Sequence, residues 1–284
     1  MSEPKIAVIT GSTGGIGSAI AHQLASQGWG LVLVNRNADK AARQKKQLTE
    51  THPDVKINLA QADLMDVAQI KQAAMEIQAL HPRIDALYNN SGVLTSQRIM
   101  SAQAHESNYA VNTLAAYVMI KGLHPALKRD NDQPKAMIVN TTSSAHNGAK
   151  TLDVDKLSNP EEIGGLMGAY ATTKLALTTM GTAMARDLEN DGIMIRSVCP
   201  GAVVTPMTKT SDAMPGLLKF LVPLIFNSAD KQAAKMINAA KPETYGGRTG
   251  IYITNGKEKS LPKLAVDSQI QAGLMKKLSN DAAF

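Results

Sequence analysis

Cysteine is almost absent from the chain, because its 284 residues contain only Cys199. A single cysteine cannot form an internal disulfide, which fits a reducing compartment, and it cannot supply the paired thiolates of a structural metal site. The six histidines show no spacing typical of metal ligands. We therefore expect no resident metal ion.

Long apolar runs are also missing, since no stretch approaches the roughly 18 to 20 residues that cross a bilayer. The N-terminus, MSEPKIAVIT, lacks a basic segment followed by an apolar core and a small-residue cleavage site, so we predict no export signal. These absences predict a cytoplasmic protein whose contact with a membrane is peripheral at most.

The sequence has no cluster of basic residues within a nucleic-acid-binding motif. The formal net charge is +6, but lysine and arginine are scattered, and the densest group is Lys40, Arg43, Lys45 and Lys46 on one predicted helix. We expect no nucleic-acid partner. A mild basic excess also suits an enzyme that binds a phosphorylated cofactor.

Short apolar runs rich in β-branched residues alternate with segments of helical spacing along the chain, of which 44% is hydrophobic. The predicted strands are 6–10, 31–35, 55–60, 86–89, 137–141, 194–198 and 250–253. The predicted helices are 16–27, 40–51, 67–80, 102–128, 168–190 and 231–239. This alternation predicts an α/β fold over residues 1–284, a single-domain doubly wound parallel sheet of about seven strands with helices on both faces.

The first predicted strand ends in the glycine-rich segment TGSTGGIG, residues 10–17. A strand, a glycine turn and a helix N-terminus present free backbone N–H groups to a phosphate, and glycine lets the backbone lie against the ligand. The predicted cofactor contacts of this turn are Gly11, Ser12, Thr13, Gly15, Ile16 and Gly17. The spacing fits both T-G-x-x-x-G-x-G and T-G-x-x-G-x-x-G, so the turn alone does not choose between them.

The second predicted strand ends in LVNRN, where Asn35 and Arg36 stand near the place of an acidic residue. In NAD sites an aspartate or glutamate near this point binds the ribose hydroxyls. A carboxylate would repel a 2′-phosphate, whereas a guanidinium binds it bidentately. The sequence therefore favours NADP(H) over NAD(H), with Asn35 and Arg36 as contacts and Lys40 as a second basic candidate.

Four further motifs lie near the ends of the later strands: ADL at 62–64, NNSG at 89–92, VNTTSSAH at 139–146 and PGAVVT at 200–205. A fifth, YAVN at 109–112, lies in the predicted helix 102–128. With the glycine turn they resemble, in order, the short-chain dehydrogenase/reductase family. The segment LDVDKLSNPEEIGG and the C-terminal region resemble its retinol-dehydrogenase-like branch more loosely. The resemblance implies further cofactor contacts at Asp63, Leu64, Asn90, Ser91, Gly92, Pro200, Gly201, Val203 and Thr205.

The segment AYATTKLAL, residues 169–177, places Tyr170 and Lys174 one turn apart on the same helix face. A free phenol has a pKa of about 10, and a nearby ammonium with the positive ring of an oxidised nicotinamide favours phenolate. We therefore predict a lowered pKa for Tyr170, which acts as acid and base while both residues also contact the cofactor.

The resemblance adds two catalytic residues to this pair. Ser143 orients the reacting oxygen, with Thr142 and Ser144 as alternatives to it in the same motif. Asn112 anchors a water that links Lys174 to solvent. The family also implies a homodimer or homotetramer.

The segment 206–230 is predicted to be a substrate lid, because residues 217–226 form an apolar run broken by Lys219 and Pro223. An apolar lid suggests an apolar substrate and exclusion of water. A helix packed on the core or on another subunit is the equal alternative. Residues 255–284 are predicted to form a C-terminal extension.

These observations predict an oxidoreductase that transfers a hydride between NADP(H) and an alcohol or carbonyl substrate, as short-chain alcohol dehydrogenases and carbonyl reductases do. Two alternatives remain: a sugar-nucleotide epimerase or dehydratase, and a non-catalytic NADP-sensing regulator on the same fold. The moderate length and the NNSG and PG segments argue against the epimerase. The presence of both Tyr170 and Lys174 favours an enzyme over a regulator.

Overall fold

The computed structural model describes residues 3–130, 132–164, 167–201 and 228–283. Within these ranges one sheet has eight strands: β1 (Ile6–Thr10), β2 (Gly30–Asn35), β3 (Ile57–Gln61), β4 (Ala86–Asn89), β5 (Ala136–Thr141), β6 (Ile193–Cys199), β7 (Ile251–Thr254) and β8 (Lys257–Lys259). Their order is β3-β2-β1-β4-β5-β6-β7-β8, and β1 to β7 pair in parallel. The predicted doubly wound, Rossmann-like sheet is confirmed.

The helices of the described residues are α1 (Gly15–Ser26), α2 (Ala38–Thr51), α3 (Val67–Leu80), α4 (Ser107–Tyr109), α5 (Ala115–Leu127), α6 (Ala169–Asn190), α7 (Ala229–Ala239) and α8 (Ser268–Ala282). A π-helix, Ala110–Leu114, joins α4 to α5, and short 3₁₀ segments span Ser144–Gly148, Thr244–Gly247 and Lys263–Val266. None of these helices is long and apolar enough to cross a membrane.

The central strands are apolar on both sides, and this places helices on both faces of the sheet. In β1, Val8 packs into a core with α3, α5, α6 and α8, whereas Ala7 and Ile9 pack into a second core with α1 and α7. Successive strand side chains point to opposite faces, so a continuous apolar run buries both of them.

The strand count differs from the predicted seven because β8 pairs with β7 in an antiparallel hairpin. The turn residues Asn255 and Gly256 have φ of 51° and 74°. Positive φ at both positions of a two-residue turn is what an Asn-Gly pair favours, and ITNGKEK carried that signal.

The helix predicted over 102–128 begins later, at Ser107. Residues Met100 and Glu106 form an isolated antiparallel bridge. The buried Glu106 carboxylate then accepts hydrogen bonds from the backbone N–H groups of Asn108 and Tyr109, at 2.9 and 3.3 Å. Because this cap satisfies two free donors, the helix starts after Glu106.

The predicted C-terminal extension, 255–284, contains β8 and α8. The apolar side chains Leu274 and Leu278 of α8 are fully buried, and the Tyr109 hydroxyl donates to Asp281 Oδ2 at 2.7 Å. Most of the predicted lid, residues 206–227, lies outside the described residues. Its last residues, 228–230, form the cap and first turn of α7.

Candidate active site

The described residues outline a cavity of about 910 Å³ at the carboxyl edge of the sheet. Its walls are the turns that follow β1 to β6, together with the start of α6. Open α/β sheets bind ligands at this edge, because the strands and helix N-termini both point to it. The predicted site residues can therefore be located around one cavity.

The turn after β1 reaches the cavity with its backbone. Gly11 and Gly15 have φ of 67° and 54°, where a residue with a Cβ atom is strained. A Cβ atom on Gly17 would collide with the carbonyl oxygen of Gly11, so this glycine lets α1 lie against the turn. Gly14, the N-cap residue, supplies no side-chain cap, which leaves the first N–H groups of α1 available to a ligand.

The turn does not present every predicted contact to the cavity. Ser12 is fully buried, and its hydroxyl donates to Gln44 Oε1 at 2.8 Å while accepting from Asn35 Nδ2 at 2.8 Å. The Asn35 Oδ1 atom accepts from the backbone N–H of Thr13 at 3.2 Å. The side chains of Ser12 and Asn35 therefore tie the turn to β2 and α2, and no motif in the sequence indicated the role of Gln44.

Basic side chains line the end of the cavity that follows β2. Arg36 and Lys40 lie there with Asp63 and Leu64. The Arg36 Nη1 atom is 3.8 Å from Asp63 Oδ2, and 74% of the Arg36 side chain is exposed. A pair this exposed is weak, so the guanidinium can turn to an anionic ligand at low cost.

The NNSG segment after β4 lies against the glycine turn. The Asn90 side chain donates to the carbonyl oxygen of Thr10 at 3.1 Å. A Cβ atom on Gly92 would lie 3.2 Å from Asn112 Oδ1 and 3.3 Å from Lys174 Nζ. Gly92 thus brings the backbone close to the lysine, and Asn90, Ser91 and Gly92 all line the cavity.

Tyr170 and Lys174 lie together on the buried face of α6, as the spacing predicted. The ammonium nitrogen is 5.9 Å from the centre of the phenol ring and donates to the carbonyl oxygen of Thr141 at 2.8 Å. The side chain of Ser143 lies close enough to Tyr170 to lower the pKa of its phenol. All three side chains line one end of the cavity.

The lowered pKa that we predicted for Tyr170 is not produced by Lys174. Burial raises the pKa of Tyr170 to about 12, and the nearby Ser143 side chain opposes this only in part. Burial also lowers the pKa of Lys174 to about 8. The reason is desolvation, which penalises the phenolate and the ammonium alike.

The alternatives to Ser143 point elsewhere. Thr142 is buried, and its hydroxyl donates to the carbonyl oxygen of Lys174 at 3.1 Å. Ser144 is exposed, and its backbone N–H donates to Cys199 Sγ at 3.2 Å. Of the three, the geometry favours Ser143, because its side chain meets Tyr170.

Asn112 lies in the π-helix, beneath Gly92 and outside the cavity lining. Its Oδ1 atom accepts from Val93 N–H at 2.8 Å, and its Nδ2 atom donates to Val93 O and Thr173 Oγ1 at 3.0 and 3.2 Å. Single-turn π-helices are frequent at functional sites. Both the oxygen and the nitrogen of the Asn112 amide are therefore hydrogen-bonded to other groups of the protein. The role of Asn112 as a water anchor stays a prediction.

Several cavity residues were not among the predicted site residues. Their shared property is an apolar or sulfur-containing side chain near Tyr170 or along the NNSG segment. They are Val93, Leu94, Val111, Ala145, Met167 and Cys199.

Of the predicted PGAVVT contacts, Pro200 and Gly201 line the cavity, whereas Val203 and Thr205 lie outside the described residues. In the described ranges no group of three or more His, Cys, Asp or Glu residues could hold a metal ion.

Known proteins resemble this chain over most of its length. It is 27% identical to the chloroplastic short-chain dehydrogenase TIC 32 B of Brassica napus over 270 residues, which cover 93% of the chain and 84% of that protein. It is 25% identical to human retinol dehydrogenase 13 over 271 residues, covering 94% and 81%. The looser likeness to the retinol-dehydrogenase branch is therefore confirmed at low identity.

A solved structure and a family model agree with these relatives. A short-chain dehydrogenase/reductase of Serratia marcescens matches with a TM-score of 0.68 and 26% identity, over 88% of this chain and 95% of that one. The family model described as short chain dehydrogenase matches residues 5–154 and 158–216. With its parallel sheet and this cavity, the chain belongs to the short-chain dehydrogenase family of oxidoreductases.

Proposed function

We propose that this protein is an NADP(H)-dependent oxidoreductase that interconverts an apolar alcohol and the corresponding aldehyde or ketone. One observation carries the proposal. Tyr170, Ser143 and Lys174 converge at one end of a cavity whose other end holds Arg36, Lys40 and the uncapped start of α1. A dinucleotide cofactor needs one cavity that holds its phosphates at one end and its nicotinamide, beside the substrate, at the other.

The residues at the phosphate end fit a dinucleotide. Gly11 and Gly15 let the backbone approach the ligand, and the free N–H groups of α1 offer donors to a pyrophosphate. Arg36 and Lys40 would hold a 2′-phosphate, which NADP(H) has and NAD(H) lacks. When bound, the nicotinamide supplies or accepts the hydride.

The protein side chains manage the proton and the position of the reacting oxygen. Ser143 would donate a hydrogen bond to that oxygen, and Tyr170 would give it a proton in reduction or take one in oxidation. A pKa of about 12 keeps the phenol protonated near neutral pH, which suits donation to a carbonyl. Lys174, held on the Thr141 carbonyl, adds positive charge beside the phenol when it is protonated.

The substrate end of the cavity favours an uncharged apolar molecule. Val93, Leu94, Ala145 and Met167 line it, and Lys174 is the one charged lining side chain away from the Arg36 end among the described residues. A relative named retinol dehydrogenase is consistent with an apolar alcohol. We retain the cytoplasm and a homodimer or homotetramer as expectations.

The test is turnover of NADPH against a panel of apolar aldehydes and ketones, with NADH and a sugar nucleotide as comparisons. We expect wild-type protein to oxidise NADPH with at least one carbonyl, faster than with NADH, and Tyr170→Phe to be far slower. Equal rates of wild type and Tyr170→Phe on every carbonyl would favour the regulator. A changed sugar nucleotide would favour the epimerase or dehydratase.

A further inference from the structure

Behind Ser143, three buried side chains form a chain of hydrogen bonds that the proposed chemistry does not use. Thr178 Oγ1 lies 2.9 Å from Thr142 Oγ1 and 3.2 Å from His146 Nδ1. All three residues are at most 3% exposed. These hydrogen bonds therefore join the end of β5, the 3₁₀ segment that follows it and α6 at a place buried from solvent.

The donor and acceptor of each of these hydrogen bonds can be assigned so that every bond points the same way along the series. Burial lowers the pKa of His146 to about 4, so the ring is neutral near pH 7 and carries one proton. With that proton on Nδ1, His146 donates to Thr178, Thr178 to Thr142, and Thr142 to the carbonyl oxygen of Lys174 at 3.1 Å. Each hydroxyl then donates once and accepts once.

Thr142 and His146 flank Ser143 in the chain, and Thr178 lies on the helix that carries Tyr170. Thr142 immediately precedes Ser143, and His146 follows it within the same short loop. Both contact Thr178, which lies one turn beyond Lys174 and two turns beyond Tyr170 on α6. The loop that carries Ser143 is thus attached on both sides to the helix face that carries Tyr170.

We propose that Thr142, Thr178 and His146 are positioning residues that hold the Ser143 hydroxyl against the Tyr170 hydroxyl. The proposal rests on the proposed function, in which these two hydroxyls act on one substrate oxygen. Thr178 is the central member, because it alone contacts both other side chains. Loss of its hydroxyl leaves the Thr142 and His146 contacts without their shared partner and lets the loop move relative to Tyr170.

The test uses Thr178→Val, with Thr179→Val as the matched control. Thr179 is also buried on α6, and its Oγ1 atom lies 3.0 Å from the backbone carbonyl oxygen of Leu175, the same distance as that between Thr178 Oγ1 and the carbonyl oxygen of Lys174. Its hydroxyl makes no contact with the Ser143 loop among the described residues. Thr178→Ser keeps the hydroxyl and serves as the rescue variant.

The first readout is the NMR resonance of tyrosine labelled with ¹³C at Cζ, which reports hydrogen bonding at the phenol without any substrate. The chain has six tyrosines, so Tyr170→Phe identifies the signal. Ser143→Ala gives the shift caused by loss of the serine contact. We expect Thr178→Val to shift the Tyr170 signal in the same direction, and Thr178→Ser and Thr179→Val to leave it in place.

The second readout is kcat with a carbonyl substrate, which should fall about tenfold in Thr178→Val with the KM for NADPH unchanged. A Tyr170 signal that stays at its wild-type position in Thr178→Val, or moves equally in Thr179→Val, overturns the proposal. Absence of turnover in the wild type would refute the proposed function instead, and the NMR signal would still decide the positioning role.

Discussion

The two edges of the sheet are built from opposite chemistry. At the carboxyl edge, helix N-termini and glycine turns surround an open cavity lined by hydroxyls, an amine and basic side chains. At the amino edge, where helices end, the fully buried guanidinium of Arg196 donates to the carbonyl oxygens of Ala239, Lys241 and Pro242. Helix N-termini attract anions and helix C-termini attract cations. Because the helices that connect parallel strands run in the same direction, their N-termini lie at the carboxyl edge and their C-termini at the amino edge.

A second arginine repeats the pattern at the amino edge. Arg129 is buried and donates to the carbonyl oxygens of Ala126 and Leu127 at 3.0 Å, at the end of α5, and pairs with Asp85 at 3.3 Å. Lys174, at the opposite edge, is equally buried but its amine has one protein acceptor among the described residues, the carbonyl oxygen of Thr141. Apart from Arg129 Nε, the guanidinium nitrogens of the amino edge are hydrogen-bonded within the fold, whereas the Lys174 amine has a single protein acceptor in the described residues.

Tyr170→Phe should give the largest contrast between loss of activity and loss of stability, because it removes one hydroxyl oxygen from the carboxyl edge. We expect kcat to fall about 10³-fold, because the reaction loses its acid and base. The free energy of unfolding should stay close to that of the wild type, since the ring remains packed. Steady-state rates and urea unfolding measure the two quantities, and a large loss of stability with little loss of rate would contradict this assignment.

The counterpart at the amino edge is Arg196→Met. It should lower the free energy of unfolding by about 3 kcal/mol, because several buried carbonyl oxygens lose their donors. The activity of each folded molecule should persist. Urea unfolding of this variant beside Arg186→Met, which alters an exposed arginine, checks the prediction, and equal stabilities of the two would refute it.

The burial of Lys174 at the carboxyl edge should reduce the free energy of unfolding at pH values where the amine is charged in the unfolded chain. Burial lowers its pKa to about 8 from 10.5, so between these pH values the unfolded chain binds more protons than the folded one. The free energy of unfolding should therefore rise with pH in this window, by about 3 kcal/mol relative to Lys174→Met. Unfolding curves at several pH values test this, with the exposed Lys121→Met as control. Parallel pH profiles for wild type and Lys174→Met would contradict the burial of a titrating amine.

The smallest expected effect concerns the exposed end of the carboxyl edge. Arg36→Gln should weaken NADPH binding about tenfold and leave NADH binding unchanged, because only NADPH has a 2′-phosphate for the guanidinium to bind. Fluorescence titrations with both cofactors measure this, and Arg43→Gln on the neighbouring helix α2 is the control. Equal weakening of both cofactors would show that Arg36 does not distinguish them.

The sequence predicted the elements of the carboxyl edge better than those of the amino edge. Tyr170 and Lys174 were predictable because helical spacing alone puts them on one face, and the glycine turn because a strand and a helix flank it. Nothing in the sequence indicated that Arg196 would reach the end of α7, because that contact joins residues far apart in the chain. The Asn-Gly pair between β7 and β8 is a local hairpin signal, so this eighth strand was also predictable from the sequence.

Residue order and local periodicity determined by themselves the succession of strands and helices, and hence the edge at which the glycine turn, the NNSG segment and Tyr170 meet. Only the tertiary structure decided which neighbouring hydroxyl faces Tyr170, that Ser12 turns inward to Gln44, and that burial raises the pKa of the phenol. The physical reason is that spacing fixes direction within one helix or strand. Desolvation and hydrogen bonding depend on segments that the chain brings together from a distance.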